Sequence, residues 1–273
     1  MIVQTAPGGQ PGQPHAVIAQ LEHTRLAGFF AVAWGNATFA ALEPRDLMVY
    51  LATHHDQGWE GVDGRVGRDK ASGLPWNLVT TPLPELVKSS SRGPDFNEKH
   101  HPYCGLLSSM HTYGLFNGRY GLSDKIFIQM VGPEHRPAIE DMLAREVGRQ
   151  DRLKAKLAAD PATASWVSDA HLFANYKLLQ FFDTLALYFN CTHEAARGSS
   201  AFANVPKTVG EDVTVTVSRL EKATYRVAPY PFQTEGLEVR WAYRNATPQD
   251  ESVDMPAYLA QLPIHEEVVR LVP

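Results

Sequence analysis

Residues 170–189 read AHLFANYKLLQFFDTLALYF and predict the helix around which the rest of the chain packs. Apolar residues fall on most sides of this stretch, which is typical of a buried helix, and Ser168-Asp169 before it offers an N-cap. Asp183 interrupts the apolar surface. Its neighbours one turn away are Leu179, Ala186 and Leu187. A carboxylate buried there is costly unless it pairs with an arginine, accepts backbone N–H groups or binds a metal ion.

Two earlier segments carry candidate partners for Asp183. The spacing of apolar residues over 17–34 predicts a first helix, on which His23 shares the inward face. Residues 42–55 predict a second helix that ends at the adjacent pair His55-Asp56. An imidazole nitrogen and a carboxylate oxygen can bind one divalent transition metal together. Taken alone, a histidine on an apolar face is more often a core residue. The triplet His54-His55-Asp56, taken alone, is more often part of a solvated turn. The prediction of a metal site therefore depends on these residues occurring together.

A third helix is predicted over residues 102–116 and carries Ser108 and His111 on one face, since residues three apart on a helix point the same way. An imidazole titrates near neutral pH, so His111 is a candidate extra ligand, second-metal ligand or proton shuttle. The alternative is a structural hydrogen bond. His100 and His101 precede this helix and are weaker candidates for the same site.

The remaining N-terminal part of the chain is less regular. Residues 1–16 predict a short strand followed by a loop. Residues 57–100 are dense in Gly, Pro, Ser and Asp and predict one long surface loop, which could act as a lid over a site. Residues 133–159 are strongly charged with helical spacing and predict a long exposed helix.

After Gly198 the pattern changes to strands. Residues 212–218, DVTVTVS, alternate strictly, and residues 225–228 and 237–244 continue in the same style. Residues 253–269 predict a short helix that ends in a strand.

We therefore expect a mainly α fold, a helical bundle with a C-terminal antiparallel β appendage, α+β overall. The expected division is a helical metal-binding body over 1–198 and a β-rich extension over 199–273 that packs on it as part of one structural domain.

Composition excludes several classes of protein. The net charge of -5 gives no basic excess of the kind that binds nucleic acid, and no basic run suits an anionic membrane. No apolar run approaches the roughly 20 residues that span a bilayer, and residues 1–15 lack the features of a signal peptide. With Cys104 and Cys191 as its two cysteines, the chain predicts free thiols in a reducing cytoplasm. Motifs for nucleotide phosphates, zinc peptidases and serine hydrolases are also missing from the sequence.

In chain order, His23, His55-Asp56 and Asp183 form a pattern that resembles the HD-domain superfamily of metal-dependent phosphohydrolases. There an early His, an adjacent His-Asp pair and a late Asp from a helical bundle surround one or two metal ions. A second resemblance covers nearly the whole chain and is to an uncharacterised bacterial family, domain of unknown function 3891. Its motifs are AQLEH at 19–23 with LAG at 26–28, HDQGW at 55–59, residues 103–111, and LLQ at 178–180 with Asp183. Matching them points to His23, His55, Asp56, His111 and Asp183 as the site.

The family 3891 carries no assigned activity. The resemblance to HD-domain phosphohydrolases implies metal-dependent hydrolysis of a small-molecule phosphoester, with one or two divalent ions (Fe, Mn or Zn) as cofactor. The expected ligands are His23, His55, Asp56 and Asp183. His111 would be a second-metal ligand or the acid for the leaving oxygen, so that His111 and Asp56 are the expected catalytic residues. The expected substrate-pocket residues are Gln20, Trp59, Tyr103 and Ser108, with Trp76 as a further part of the apolar wall.

Two alternatives stay open from the sequence. One is a di-iron oxygenase, because histidine and carboxylate ligands suit iron equally well. The other is a metal- or ligand-binding protein without turnover. The oligomeric state also stays open, a homodimer included.

Overall fold

The computed structural model describes residues 1–4 and 13–273, which form helices and one sheet. The helices are α1 Gln20–Ala33, α2 Arg45–His54, α3 Glu60–Asp63, α4 Leu83–His100, α5 Pro102–Phe116, α6 Phe127–Met130, α7 Arg136–Ala158, α8 Asp169–Cys191 and α9 Met255–Gln261. The strands are β1 Ile2–Val3, β2 His15–Ile18, β3 Ser200–Thr208, β4 Glu211–Glu221, β5 Thr224–Ala228, β6 Leu237–Ala246 and β7 Ile264–Val272. No helix in the described ranges is long and apolar enough to cross a membrane.

The strands form one curled seven-stranded sheet in the order β1-β2-β6-β7-β5-β4-β3. Neighbouring strands are antiparallel except for β5 and β7, which are parallel. The prediction of a mainly α helical bundle with a C-terminal β appendage is therefore wrong. The sheet is a full layer of an α+β fold, and its first two strands come from the N-terminal end of the chain.

The N-terminal strands explain this error. The sequence prediction places Val17 and Ile18 in the first helix, whereas they belong to β2, which pairs with β6. Four residues, HAVI, are too few to show a strand period against the helical pattern that follows. The predicted strand near the start exists as β1. Most of the loop predicted after it, residues 5–12, lies outside the described residues.

The C-terminal strands follow the sequence more closely. The alternating segments over 212–218, 225–228 and 237–244 lie in β4, β5 and β6, as predicted. Strand β3 has no such pattern, because register shifts break its pairing with β4 and Asn204 has a positive φ of 58°. Alternation of apolar and polar residues therefore does not predict an irregular strand of this kind.

One hydrophobic core joins the helices to the sheet. Phe189 of α8 packs against Trp241 of β6 with ring centroids 5.7 Å apart, and Phe30 of α1 packs against Phe232 at 5.8 Å. These rings belong to a single cluster of buried residues that also includes Val215. The helices α1 and α8 are therefore held against the sheet by shared apolar burial, the dominant favourable contribution to folding.

Residues 57–100 do not form one long loop, because residues 83–100 are the helix α4. Pro94 lies inside this helix and removes the N–H that would bond to the carbonyl of Ser90. Thr112 Oγ1 on α5 donates to that carbonyl at 3.2 Å and replaces the missing bond. The buried face of α4 consists of Ser89, Gly93, Pro94 and Asn97. Such a face carries no apolar period, so the sequence pattern gives no helix here.

Close helix packing places the ends of α1 and α2 side by side. A Cβ added at Gly28 of α1 would lie 2.0 Å from Thr53 Oγ1 on α2, so only glycine permits this crossing. Gly58 after α2 is similar, since its Cβ would lie 2.0 Å from the carbonyl oxygen of Ser89 on α4. Both contacts bring the residues that follow α2 towards α1 and α4.

Candidate metal centre

Four elements bring the histidines and carboxylates singled out by the sequence to one cavity. His23 lies on α1, His55 and Asp56 follow α2, His111 lies on α5, and Asp183 lies on α8. His23 Nε2 is 3.1 Å and His55 Nε2 is 3.7 Å from Asp183 Oδ1. The carboxylate oxygens of Asp56 lie 4.0 Å from His55 Nε2 and 3.9 Å from His111 Nε2. We call these five residues the His/Asp cluster.

The cluster contains two overlapping groups of three potential metal ligands. In each group, one nitrogen or oxygen per residue lies within 4.8 Å of the others. The groups are His23, His55 and Asp56, and His55, His111 and Asp183. Every member except Asp56 is buried. Imidazole and carboxylate donors in this mixture suit iron, manganese and zinc.

Hydrogen bonds fix how two of the imidazoles face the centre. His55 Nδ1 donates to the carbonyl oxygen of Ala52 at 2.8 Å, and His23 Nδ1 donates to Asn190 Oδ1 at 3.3 Å. In the neutral rings, each Nε2 therefore carries a lone pair that points at the carboxylates. His55 Nε2 is buried and has no hydrogen-bond partner. With the rings neutral in this form, acceptor atoms converge with no donor between them. Either a proton, which would let His23 Nε2 donate to Asp183 Oδ1 at 3.1 Å, or a metal cation can occupy that position favourably.

His111 is held differently. Gln180 Nε2 on α8 lies 2.8 Å from His111 Nδ1 and donates to it, which leaves the neutral ring with a proton on Nε2. Gln180 Oε1 is buried without a partner in this arrangement. Rotation of the amide by 180° would let Oε1 accept from Nδ1–H and would free Nε2 as a ligand. Gln180 therefore selects between a donor and a ligand role for His111.

The electrostatics of the cluster favour a cation between the carboxylates. Burial alone would lower the pKa of His55, but the charges of Asp56 and Asp183 outweigh burial and raise this pKa to about 9. Burial alone would raise the pKa of Asp183, but a hydrogen bond from His23 and the charge of the nearby His55 imidazolium hold it well below its usual value. Burial lowers the pKa of His111 to about 4. Near neutral pH, without metal, a proton on His55 takes the place of the cation.

Gln20 orients Asp56, the least buried member of the cluster. Gln20 Nε2 donates to Asp56 Oδ2 at 3.0 Å, and the backbone N–H of Gln20 donates to Asp63 Oδ2 at 2.6 Å. Gln20 is fully buried at the start of α1. The same residue thus joins α1, α3 and the segment after α2 beside the cluster.

The structure separates the expected pocket residues into two sets. Gln20 and Trp59 line the cavity. Tyr103 does not line it, because it is fully buried in the core, where its hydroxyl accepts from Asn175 Nδ2. Ser108 lies behind the cavity wall and accepts from Asn97 Nδ2. Trp76 packs against Gly67 and the small cluster around Val66 instead.

His100 and His101 also lie outside the cluster. The ring of His100 stacks on Tyr50 with centroids 3.4 Å apart. His101 precedes α5, and its Nδ1 accepts from the backbone N–H of Tyr103 at 3.1 Å. This hydrogen bond caps a helix, a common structural use of a polar side chain.

Several residues that hold or line the site were not predicted as site residues from the sequence. Asn190 and Gln180 hold the imidazoles of His23 and His111, yet amide side chains on a buried helix are not distinctive. Arg119 lines the cavity from a turn after α5. A search for polar residues on the apolar helix α8 would have found both amides, since they share that helix with Asp183.

Comparison with known families and structures gives one match. A family model described as a protein of unknown function (DUF3891) matches residues 1–247, so the chain belongs to this family. The match ends just after β6, so α9 and the inner strand β7 lie outside it. No curated protein and no solved structure matches the chain.

Proposed function

We propose that the His/Asp cluster binds one or two divalent transition metal ions and that the protein hydrolyses a phosphoester of a small molecule. The observation that carries the proposal is the convergence of imidazole nitrogens and carboxylate oxygens around the buried, unpartnered Nε2 of His55. The ligands would be His23, His55, Asp56 and Asp183, with His111 as a further ligand or a donor to the substrate. This ligand order also resembles that of HD-domain phosphohydrolases, although the sheet sets this fold apart from a plain bundle.

The cluster suits hydrolysis because it meets a cavity of about 250 Å³ that opens to solvent. A divalent ion in the cluster would supply Lewis acidity, which makes water a better nucleophile near neutral pH and offsets charge on a phosphoryl group. In the reaction, the water oxygen bonds to phosphorus, the ester P–O bond breaks, and one water proton ends on the leaving oxygen. Asp56 is the member placed to accept and return that proton, since it lines the cavity and is only partly buried.

His111 would act as a hydrogen-bond donor to the substrate when Gln180 holds it as observed. Its pKa of about 4 keeps the ring neutral at physiological pH, so Nε2–H can donate without carrying a full charge. Neutral imidazoles serve as electrophiles in this way in other enzymes. This role replaces full proton transfer by His111, which would require an imidazolium that burial disfavours.

Elemental analysis of protein purified without chelator, joined to a panel of phosphomonoesters and phosphodiesters, tests the proposal. We expect iron, manganese or zinc at one or two equivalents and release of phosphate or alcohol. His55→Ala should lose both metal and turnover. His54→Ala is the matched control, because His54 is adjacent but stacks on Tyr50 outside the cluster. Wild-type protein with neither bound metal nor activity after loading would refute the proposal.

The same analysis separates the two alternatives. The two ligand groups share His55, whose one free ring nitrogen can bind a single ion, so a second ion would need a bridging carboxylate such as that of Asp56 or Asp183. Two irons per chain with oxygen uptake would favour an oxygenase. Bound metal without any turnover would favour a binding protein.

A further inference from the structure

A left-handed turn ends α5 beside the cluster. Gly118, Arg119, Tyr120 and Gly121 have consecutive positive φ values of 65°, 50°, 56° and 87°. Glycine adopts this conformation freely, but a residue with a Cβ does so at a cost, because the Cβ approaches the following carbonyl oxygen. Two such residues in succession are rare, and strained backbone of this kind is concentrated at functional sites.

Tyr120 anchors the turn on one side. Its hydroxyl donates to Gln150 Oε1 at 3.0 Å, and its ring meets Tyr176 edge-on with centroids 5.1 Å apart. These contacts account for the conformation of Tyr120. They do not account for an arginine at the preceding position, whose side chain lies on the cavity side.

Arg119 is the one lysine or arginine among the described residues that line the cavity. It is half-buried, and no ion pair within the described ranges includes it. Two carboxylates of the cluster balance one divalent ion, so Arg119 gives the loaded cavity a net positive charge. An arginine fork is well suited to phosphate oxygens.

The rest of the cavity wall is apolar. Leu86, Phe116, Phe127 and Leu187 line it together with Trp59. Three hydroxyl side chains line the cavity, but Ser89 Oγ donates to the carbonyl of Leu86 and Thr112 Oγ1 to that of Ser90. This leaves the Ser90 hydroxyl and the unpartnered Gln20 Oε1. Few free polar groups are therefore left to recognise a sugar or a base. An aryl or alkyl group would bury its apolar surface against this wall.

We propose that Arg119 binds the anionic end of the substrate and that the substrate is a phosphomonoester with an apolar aryl or alkyl body. This inference rests on the proposed function. It narrows the phosphoester to a class in which the phosphate faces the cluster and Arg119, while the body lies against the apolar wall.

Binding of two phosphonates, which cannot be hydrolysed, tests the substrate class. Calorimetry on metal-loaded protein should show phenylphosphonate binding about tenfold or more tightly than methylphosphonate, because the phenyl ring buries apolar surface. Equal affinities for the two phosphonates would overturn the proposal that the substrate has an apolar body.

Arg119→Gly tests the anion site. It should weaken binding of both phosphonates about tenfold or more, through loss of charge-assisted hydrogen bonds, and leave metal content unchanged. Because glycine relieves the left-handed strain, the melting temperature should stay equal or rise. Ala223→Gly is the matched control, since Ala223 has a φ of 57° in the turn between β4 and β5 and is not part of the cavity wall. Unchanged phosphonate affinity in Arg119→Gly would overturn the role of Arg119.

Turnover separates this inference from the proposed function. Phenylphosphonate binding as expected, with no hydrolysis of phenyl phosphate or other esters, would support the anion site and refute the hydrolase. Hydrolysis of phosphoesters without any preference for apolar bodies would support the hydrolase and overturn this substrate class.

Discussion

Two clusters of buried charge lie along α8, and they differ in how far their polar atoms are satisfied. The His/Asp cluster surrounds Asp183, and the Arg197 cluster lies near Phe189 at the end of the same helix. Arg197 Nε donates to the carbonyl of Thr192, and its two terminal nitrogens reach Glu267, the Tyr225 hydroxyl and the Phe189 carbonyl. Three aromatic rings lie within 5.8 Å of its guanidinium carbon.

The difference teaches how to tell a structural charge from a binding site. The guanidinium of Arg197 uses its donors within the protein and joins α8 to β5 and β7. In the His/Asp cluster, His23 Nε2 lies within hydrogen-bond distance of Asp183, but His55 Nε2 has no partner and faces the carboxylate oxygens of Asp183 and Asp56 at 3.7 and 4.0 Å. Buried polar atoms are normally paired, so an unpaired set requires a separate explanation. We therefore assign the Arg197 cluster to stability and propose binding for the His/Asp cluster.

The largest expected effect is the loss of metal in Asp183→Asn. This change keeps the shape of the side chain but removes the charge that faces His23 and His55. Metal affinity should fall by about a thousandfold, more than the 10–100-fold loss that is typical when a residue bonded to a metal ligand is changed. The fold should survive. Elemental analysis and circular dichroism of the purified variant check both outcomes.

Asp169→Asn is the control for this change, because Asp169 is an exposed carboxylate on the same helix, paired with Lys154. Full metal content in Asp183→Asn would remove Asp183 from the site and end the contrast between the clusters.

The second effect belongs to the Arg197 cluster. Arg197→Met should lower the free energy of unfolding by about 3 kcal/mol, the low end for a broken buried pair, because Glu267 is 21% exposed. Metal stoichiometry should not change. Urea unfolding measures the loss, and Arg240→Met, at an exposed arginine, should change the free energy by less than about 0.5 kcal/mol. A loss below about 1 kcal/mol in Arg197→Met would show that the cluster does not stabilise the fold.

A smaller effect is expected for a residue that hydrogen-bonds to a proposed metal ligand without binding the metal itself. Asn190→Leu keeps the volume but leaves His23 Nδ1 without its acceptor, so metal affinity should fall about 10–100-fold. Calorimetric titration of the metal measures the change. The melting temperature of the metal-free variant serves as the control, and unchanged affinity would mean that His23 is oriented by packing alone.

The smallest effect, about tenfold in metal affinity for each pH unit, is a pH dependence. His55 has a folded pKa of about 9, above its usual value of 6.5, so metal must displace a proton from it at neutral pH. Metal affinity should therefore rise about tenfold per pH unit between about pH 6.5 and 8.5 and level off above 9. The stabilisation that His55 gives the metal-free fold has the opposite sign, complete below about pH 6.5 and lost as the pH rises through 9.

Titration in two buffers of different ionisation enthalpy counts the proton released on metal binding. The Arg197 cluster, which contains no histidine, provides the contrast. An affinity independent of pH between 6.5 and 8.5 would contradict a protonated His55.

The sequence predicted the helices that carry the His/Asp cluster, because Asp183 and His23 lie on strong apolar periods. It also placed His55-Asp56 at a helix end, where the structure has it. The convergence of these residues follows from the crossing of α1 and α2 at Gly28, which no local pattern specifies.

Other features depend on contacts distant in sequence. Helix α4 relies on Thr112 to satisfy the carbonyl freed by Pro94, and β2 is recognisable only through its pairing with β6. The turn at Gly118–Gly121 holds a strained arginine that sequence propensity disfavours. Tyr103 and Ser108 shared a helix with His111, but that helix is buried on most sides, so their proximity in sequence did not place them in the cavity.

The position of β2 has a consequence for synthesis of the protein. This strand leads directly into α1, yet its inner partner β6 ends at residue 246. A ribosome must therefore translate most of the chain before the segment that carries His23 can dock in its final place. Contacts so distant in sequence form slowly, because a long loop has to close first. We expect the nascent chain to assemble the His/Asp cluster only after β6 has been synthesised, and to expose unpaired strand edges until then.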